Sequence, residues 1–597
     1  MGNEKIRKSV LVLLVVSIVV VGFVEGVVAT DHYTATNGSD TTGDGSLSNP
    51  WQTLQHSIAQ IAGGDTLIIR DGIYAGASNI LDHDHRPISG SEQSYTTIKA
   101  EHKGEVVFDG EGVRVPVDID NVAYIAFEGV VFRNSSGSVF DITNSDHIKI
   151  LGCGMGEAFN NESIRGSSLF FRYVDYALIE DTYIWGSFRY GFFMLDSSHL
   201  ILRRCVARQD RGIAAGYSNM GPFRIYSSSN VSLQNCIAID GDQTDYYLQN
   251  SDSGLVPATP KSYWPGGNNG PTHNVHILGS MALNNRGMSM YILSYQHAPQ
   301  NNTVKDSVFW GGKNGLWSRV EEDESVLFEH LTVGEIETGR DYNGIRGEYG
   351  HSIVARNNII YGCGSDSGDY ALVWTDNPSN SSDYNVLYNN TNNYRENRGA
   401  HPGLNDICEE NGNAIDPLTG LPGNGLASLK YFPRIEDGSD LDGVASDGED
   451  IGATILYKLG RDGTLWGEEG FNETTNESLW PFPNEDLIKE QMSQYYYDDP
   501  ADELDPLRGD RGFCAEGTGI YGGNITLTSY IWEYLGNPCP PEICDYAPAY
   551  HQADLNDDGI INMPELMAFI ARWKISDGVS KSEVEEARDI WFSGGVY

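Results

Sequence analysis

Six charged residues in the middle of the chain are the first candidates for chemistry. Each stands a few residues after a short apolar run such as VSLQNCIAI at residues 231–239. They are Arg208, Asp210, Arg211, Asp240, Asp242 and Arg286. Carboxylates can transfer protons, and guanidinium groups can neutralise negative charge that develops during a reaction. We therefore predict that these six residues form a catalytic site, provided that the fold brings them together.

Aromatic and basic residues lie close to this region in the sequence. One group belongs to the insertion DSGLVPATPKSYWPGGNNGP, and the rest follows soon after it. The candidates for substrate binding are Lys261, Tyr263, Trp264, Trp310 and Lys313. Flat aromatic faces can stack on the apolar side of sugar rings, and a long polar groove suits an extended ligand. The expected substrate is a polysaccharide, and the alternative for Trp264 is that it only folds back onto its own loop.

Two reactions could use these residues, and the sequence leaves both open. Elimination within a uronate chain needs a base and a cation that neutralises the carboxylate. The arginines, Lys261 and Lys313 could fill those roles, and the group Asp240, Asp242 and Asp245 could hold calcium. Hydrolysis needs two carboxylates across the glycosidic bond, such as Asp210 with Asp240 or Asp242. The same side chains could instead saturate backbone groups or pair at turns. The third alternative is then a non-catalytic, glycan-binding adhesion protein.

A twelve-residue segment near the C-terminus, DLNDDGIINMPE, has the spacing of a calcium-binding loop. Its oxygen donors would be Asp554, Asn556, Asp558, the Ile560 carbonyl, Asn562 and Glu565, with Gly559 at the sharp turn. A weaker copy eighteen residues later lacks the early ligands. We therefore predict one calcium ion. The segment DHDHR at residues 82–86 also has a metal-like composition, but a solvated loop is the favoured interpretation there.

A repeated strand pattern must position these residues. Apolar residues at alternate positions recur with steps of 23 to 44 residues, around a central small residue such as Cys153, Cys205 or Cys236. Alternation indicates a strand with one buried face, and most steps are too short for a strand–helix–strand crossover. The pattern predicts stacked coils of short strands joined by turns, with the three cysteines as buried, stacked thiols. Residues three positions after the centre, among them Arg208 and Trp310, should face outward.

The N-terminal part contains NPWQTLQHSIAQI followed by GGDTLIIRDGIY, and the later segment EDGSDLDGVASDGEDIGATI reads as a closing coil. On these motifs the chain resembles secreted right-handed parallel β-helix proteins of the pectate-lyase superfamily, over about residues 31–457. The resemblance implies an all-β, right-handed parallel solenoid with an N-terminal capping helix at the first motif. It does not fix the chemistry, because this scaffold hosts lyases, hydrolases, epimerases and adhesins.

The C-terminal segment with the calcium loop and its weaker copy resembles a dockerin. This resemblance implies a small α-helical, calcium-dependent module that docks onto a cohesin-like partner. A structural end-cap that folds around calcium is the alternative. The expected organisation is a signal peptide at 1–29, a β-helix at 30–457, an extension packing on the helix end at 458–548, and the dockerin-like module at 549–597.

The amino-acid composition, the net charge and the N-terminal segment restrict the possible functions and locations of the protein. The chain has 597 residues with a net charge of −44, and its 68 glycines and 33 tyrosines favour turn-rich β structure. Such acidity excludes a nucleic-acid partner. A basic start, MGNEKIRK, precedes an apolar run and a small-residue exit, which predicts a secretory signal cleaved after Ala29; an uncleaved anchor is the alternative. We expect a secreted or cell-surface location and no later membrane span.

Export also permits disulfides. Cys408, Cys514, Cys539 and Cys544 are the expected bridge partners, in unknown pairing. Taken together, the sequence predicts an extracellular polysaccharide lyase or glycoside hydrolase.

Overall fold

The computed structural model describes residues 29–158, 166–210, 221–241, 246–249, 272–284, 288–293, 301–312, 314–319, 325–336, 343–348, 352–374, 379–396, 399–420, 425–497, 507–544, 553, 561–574 and 581–592. Most of these residues form a parallel β-solenoid, in which each coil contributes strands to three parallel sheets. We name them sheet 1, sheet 2 and sheet 3.

Four long strands each pass through two sheets. Phe140–Leu151 and Ser167–Glu180 run from sheet 3 into sheet 1, whereas Asn301–Trp310 and Ser325–Gly334 run from sheet 1 into sheet 2. The other strands of sheet 1 are Asp31–Thr34, Thr66–Ile69, Thr96–Ala100, Ala123–Glu128, Ser198–Arg203, Ser229–Gln234, His273–Leu278, Ser352–Arg356 and Ser381–Asp383.

Sheets 2 and 3 complete the coil. The remaining strands of sheet 2 are Gly72–Ala75, Val106–Asp109, Val131–Arg133, Gly154–Gly156, Tyr183–Trp185, Val206–Ala207, Ile237–Ile239, Met281–Leu283, Ile359–Tyr361 and Val386–Tyr388. Those of sheet 3 are Val117–Asp120, Tyr190–Leu195, Gly221–Tyr226, Tyr246–Gln249, Met288–Leu293, Asn314–Arg319, Asn343–Glu348 and Tyr370–Val373.

The bend between sheets 1 and 2 explains the repeat in the sequence. The residue before each central small residue is left-handed, with φ between +48° and +71°, in Gly129, Gly152, Asp181, Arg204, Asn235, Gly279, Asp306, His330 and Asn357. The central residue then turns into the interior. Cys153, Cys205 and Cys236 are fully buried, as predicted, and burial raises the pKa of the Cys153 thiol to about 12.

Helix α1, Leu54–Gln60, lies in the segment that resembles a capping helix. The Thr53 side chain accepts a hydrogen bond from the His56 N–H at its start, and Leu54 and Ile58 belong to the core that fills the solenoid. Its role as the cap stays a prediction.

The residues that follow the last coil form an extension, residues 425–544. It contains helices α2, Glu485–Ser493, and α3, Leu527–Trp532, a hairpin of Tyr457–Leu459 with Thr474–Ser478, and a short pairing of Tyr496–Tyr497 with Leu507–Arg508. Its apolar side chains pack along the outer face of sheet 2, from Val107 to Val386. The extension therefore lies along the side of the solenoid. It includes residues 436–455, the segment expected as the closing coil, as well as the described part of residues 458–548, which we expected to pack on the helix end.

Two further helices lie near the C-terminus: α4, Met563–Lys574, and α5, Lys581–Phe592. Leu566, Phe569 and Ala587 form a small core between them. Among the residues that the structure describes, no helix is both long and apolar enough to cross a membrane.

Candidate functional site

Arg208 and Asp210 point outward from sheet 2, as expected, but the extension covers them. Arg208 is fully buried; its Nε lies 2.9 Å from Asp210 Oδ1, and its Nη2 donates to the Met492 carbonyl at 2.9 Å. Asp210 accepts from the Gly186 N–H and pairs with Arg511 Nη2 at 3.1 Å. The expectation that these two residues line an open groove is wrong, because the extension occupies that face.

Asp240 is covered in the same way. Asn284 Nδ2 donates to Asp240 Oδ1 at 2.6 Å, and Arg511 Nη1 donates to the Asp240 carbonyl at 2.9 Å. Burial raises the pKa of Asp240, whereas the hydrogen bond from Asn284 and the charge of Arg511 lower it. Arg208, Asp210 and Asp240 thus join the extension to the solenoid, and we do not retain them as the candidate site.

Trp310 is also part of this covered face. It is 2% exposed, with its ring 5.0 Å from Phe432 of the extension and 6.0 Å from Tyr361. No face of the indole is free for a sugar, so the expected stacking role is wrong. The other groove candidates, Arg211, Asp242, Lys261, Tyr263, Trp264, Arg286 and Lys313, lie outside the described residues.

Two of the six predicted calcium ligands are described. Asn562 and Glu565 bond reciprocally at the start of α4: the Asn562 N–H donates to Glu565 Oε2 at 3.0 Å, and the Glu565 N–H donates to Asn562 Oδ1 at 3.2 Å. This pair forms a capping box at the helix start. Asp554, Asn556, Asp558 and Ile560 lie outside the described residues.

Sheet 3 is the sheet that the apolar side chains of the extension leave uncovered among the described residues: their contacts are with sheet 2 and, through Leu465, with sheet 1. One row of paired backbone positions runs across the strands of sheet 3, each in register with the next. We call it the sheet 3 ladder; it comprises Asp118, Asp141, Phe170, Phe193, Arg224, Tyr247, Tyr291, Trp317, Arg346 and Val373.

Aromatic rings occupy the middle of this face. The rings of Phe170 and Phe193 stack with centroids 4.8 Å apart and planes inclined by 10°, and both side chains are half-buried. Tyr226 meets the Phe193 ring edge-on at 5.3 Å, and the guanidinium of Arg346 lies 4.7 Å from the ring centre of Trp317 further along. The ladder therefore combines apolar ring surface with positive charge.

Carboxyl groups occupy one end of the ladder. Asp118 is exposed and Asp141 half-buried. Burial, and secondarily the charge of Asp118, raises the pKa of Asp141 to about 7. Burial also raises the pKa of Asp118, against the lowering effect of His83. The ladder thus carries a group that can exchange protons near neutral pH.

Among the residues that the structure describes, the other polar features do not form a competing site. A cavity of about 360 Å³ lies in the extension, where Lys458 and Glu477 in its lining pair with each other at 3.0 Å. Two groups have metal-like composition, Asp71 with Glu101 and His102, and Glu329 with His330 and Asp447. Their carboxylates already pair with neighbouring arginines, lysines or histidines. The carboxylates of both groups are therefore already engaged by side chains of this chain.

Sequence reasoning missed the ladder for an identifiable reason. The repeat centred on Cys236 marks the bend between sheets 1 and 2, and it ends before the strands of sheet 3. Those strands show their own alternation in SLFFRY, YGFFML and GPFRIY, with Phe and Arg at the outward positions. Aligning these segments would have found the row.

No protein-family model matches the sequence, and no curated protein matches it. Among solved structures, a rhamnogalacturonan lyase is 12% identical, with a TM-score of 0.38 over 60% of this chain and 87% of that one. The A-module of a mannuronan C-5 epimerase from Azotobacter vinelandii is 12% identical, with a TM-score of 0.39 over 59% and 92%. A pectate lyase is 12% identical, with a TM-score of 0.33 over 71% and 95%.

These likenesses concern the fold alone. The chain is a parallel β-solenoid protein with structural neighbours among the polysaccharide lyases.

Proposed function

We propose that this protein is an extracellular carbohydrate-active β-solenoid that binds a polysaccharide along the outer face of sheet 3 and cleaves it. The observation that carries the proposal is the sheet 3 ladder, which places aromatic, basic and carboxyl side chains in one row that the apolar side chains of the extension do not contact. Within this row Arg224 and Val373 are buried, whereas Asp118 is exposed and Asp141, Phe170, Phe193, Trp317 and Arg346 are half-buried. Adjacent strands lie about 4.8 Å apart, so successive residues of the ladder can contact successive units of an extended chain.

The ring stack suits this ligand. Phe170 and Phe193 are fixed by each other and by Tyr226, so little side-chain entropy remains to be lost on binding. Arg346 and Trp317 lie further along the same row, and a guanidinium there favours a glycan that carries carboxylates. An acidic polysaccharide is the substrate class that this row fits.

Residues 1–29 act in this proposal as a secretory signal, and residues 549–597 as a calcium-dependent, dockerin-like module that docks onto a cohesin-like partner. All the side-chain donors of the loop are carboxylate or amide oxygens, as calcium requires. The capping box of Asn562 and Glu565 starts the helix that follows the loop, which is compatible with the same residues holding the ion. Calcium would supply the free energy that orders the loop.

A second function uses the same face without catalysis. The acidic end of the ladder is short compared with its aromatic and basic part, so a surface protein that only binds glycans would present a similar row. The two functions differ in product formation and not in binding.

The test is binding and turnover on a panel of acidic and neutral polysaccharides, using the chain from Thr30. We expect Phe193→Ala to weaken binding about tenfold, on the order of 1.4 kcal/mol, through lost ring contact. Tyr457→Ala, which removes an exposed ring of the extension, should leave the affinity unchanged. Mass spectrometry and ultraviolet absorbance distinguish hydrated from unsaturated products. Absence of binding to every glycan, or equal loss in both variants, would refute the proposal.

A further inference from the structure

Asp118 and Asp141 are the first two residues of the sheet 3 ladder. Their Cα atoms are partners on adjacent parallel strands, so both carboxyl groups leave the sheet on the same side. Phe170 follows Asp141 in the same register and is the first ring of the stacked pair. A glycan seated on the rings of Phe170 and Phe193 would therefore extend over the two carboxyl groups.

The two carboxyl groups have different surroundings. Asp141 Oδ1 is inaccessible to solvent and has no hydrogen-bond partner among the described residues, while the Ser138 side chain acts to lower the pKa of the carboxyl group. Asp141 is the more deeply buried of the pair, and the pKa effect of this burial favours its protonated form.

Asp118 is exposed, and charged groups of the preceding coil face it. Leu81 pairs with Val117, which brings Asp82 and His83 beside this strand. His83 Nδ1 and Arg86 Nη1 each lie 2.8 Å from Asp120 Oδ1, the next outward carboxyl on the strand. The charge of His83 favours the ionised form of Asp118, whereas Asp82 and Asp120 oppose it. An exposed carboxyl thus stands beside a more deeply buried one.

Resting on the proposed function, we propose that Asp141 and Asp118 are the catalytic residues of a glycoside hydrolysis at this end of the ladder. Asp141 donates its proton to the glycosidic oxygen while the Asp118 carboxylate attacks the anomeric carbon. The C–O bond to the leaving sugar breaks as the ester bond to Asp118 forms. Water, losing a proton to Asp141, then attacks the same carbon and releases Asp118 as a carboxylate.

The distance between the two carboxyl groups favours a covalent glycosyl intermediate. Side chains at paired positions of adjacent strands lie roughly 4.8 Å apart, close to the about 5–5.5 Å at which two carboxyl groups support a covalent glycosyl intermediate. Separations of about 6.5–9.5 Å would instead leave room for a water molecule and invert the anomeric centre. The product should therefore keep the configuration of the substrate.

The experiment measures binding and turnover separately, on the polysaccharide that the wild-type chain binds. Asp141→Asn and Asp118→Asn should each lower turnover by at least about a thousandfold and change the affinity by less than about threefold. The matched control is Asp146→Asn, since Asp146 is a half-exposed carboxylate on the same strand, hydrogen-bonded to His147 and part of sheet 1. Its turnover should stay at the wild-type level.

The pH profile and the stereochemistry add two independent readouts. Wild-type turnover should fall as pH rises above about 7, because Asp141 then loses the proton that it must donate. Proton NMR of the first product should show the configuration of the substrate.

Each other outcome overturns the assignment. Binding without turnover in the wild type, turnover within tenfold of wild type in both variants, an inverted product or an unsaturated product would exclude this mechanism while leaving glycan binding intact. Absence of binding in the wild type would overturn the proposed function and this mechanism together.

Discussion

Arg203 of sheet 1 donates from Nη2 to the backbone carbonyl of Phe471 in the extension, at 3.0 Å. The same guanidinium, fully buried, donates from Nη1 to Glu180 Oε2 and to the Arg461 carbonyl, each at 2.7 Å. Gly460 can lie against it because it lacks a side chain: an added Cβ would come within 2.3 Å of Nη2. One buried cation therefore fixes the extension to sheet 1.

Replacing this cation tests its contribution. Arg203→Met keeps much of the volume but leaves the Glu180 carboxylate with the longer contact to Arg204, at 3.4 Å, and the hydrogen bonds from the Gly463 N–H, at 3.2 and 3.3 Å. We expect the free energy of unfolding to fall by about 3 kcal/mol, because an ionised group remains in a buried site without its main partner. Urea denaturation measures the change. Lys99→Met, which removes a solvent-exposed pair with Glu128, should cost less than about 1 kcal/mol. Equal losses would contradict the prediction.

Gly512 allows the extension to approach Asp240. Its φ is +56°, and a Cβ there would lie 1.9 Å from Asp240 Oδ2. Gly512→Ala should therefore lower the free energy of unfolding by about 2–4 kcal/mol, combining the left-handed backbone cost with displacement of a buried carboxylate. Gly536→Ala has a similar backbone, with φ +81° and no atom within 4 Å of the new Cβ, and should show the backbone cost alone. Thermal unfolding of the pair checks this difference.

The raised pKa of Asp141 makes the stability of the fold depend on pH. Its pKa is about 7 in the folded state and 3.8 as the ordinary value, so the folded state binds the proton more tightly. Between those values the free energy of unfolding falls as pH rises, and this contribution is level above pH 7. Asp141→Asn cannot ionise. Its free energy of unfolding, compared with that of the wild type, should therefore rise by on the order of 1–2 kcal/mol as the pH increases from 4 to 8.

Denaturation curves at several pH values measure that gain. Thr143→Val alters the next outward position of the same strand without a titrating group, so its difference from wild type should stay constant with pH. A constant difference for Asp141→Asn as well would refute the shifted pKa.

The thiols of the native protein should react slowly. Cys539 and Cys544 form a disulfide, and Cys153, Cys205, Cys236, Cys363, Cys408 and Cys514 are free and buried. Burial raises the pKa of Cys514 to about 11, which lowers the thiolate fraction as well as the access. A thiol reagent should detect almost no sulfhydryl in the native state and six after unfolding in urea. Tyr457→Cys, at an exposed position, should add one group that reacts at once.

Calcium binding is testable on the whole chain. If residues 554–565 hold the ion, calcium at one hundred times its dissociation constant should stabilise the C-terminal helices by about 2.7 kcal/mol. Asp558→Ala should abolish that gain, because it removes an early ligand of the predicted loop. Ser576→Ala alters the corresponding position of the degenerate copy and should retain it. Circular dichroism during calcium titration measures the effect, and an equal response in both variants would exclude this loop as the site.

The solenoid itself could be predicted from the sequence, because its signal is local. Alternation around Cys236 identifies the interior residues, and the turn-tolerant residue before it, Asn235, has φ +52° in the structure. The parallel solenoid that this pattern predicts is the fold that the structure shows, with the helix α1 near its start.

The packing of the extension over the outer face of sheet 2 could not be predicted in the same way. Alternation tells which side chains point out of the coil, but not what lies over them, since the contacting residues Asp210 and Arg511 are 301 residues apart in sequence. A signal did exist: Trp185, Ile239, Leu283 and Trp310 occupy outward positions and are apolar, which is unusual for a solvent-facing row. The disulfide pairing could not be predicted for a similar reason. Cys408 and Cys514 are unbridged, contrary to expectation.

The extension along sheet 2 also bears on how the chain is made. A ribosome releases the coils before the segment that covers them, so the apolar row from Val107 to Val386 meets water until residues 429–544 follow. Nascent chains at that stage, and any fragment that ends within the solenoid, expose this apolar surface, which favours self-association. We therefore expect the yield of soluble protein to depend on whether synthesis continues to the end of the extension, rather than on formation of the coils.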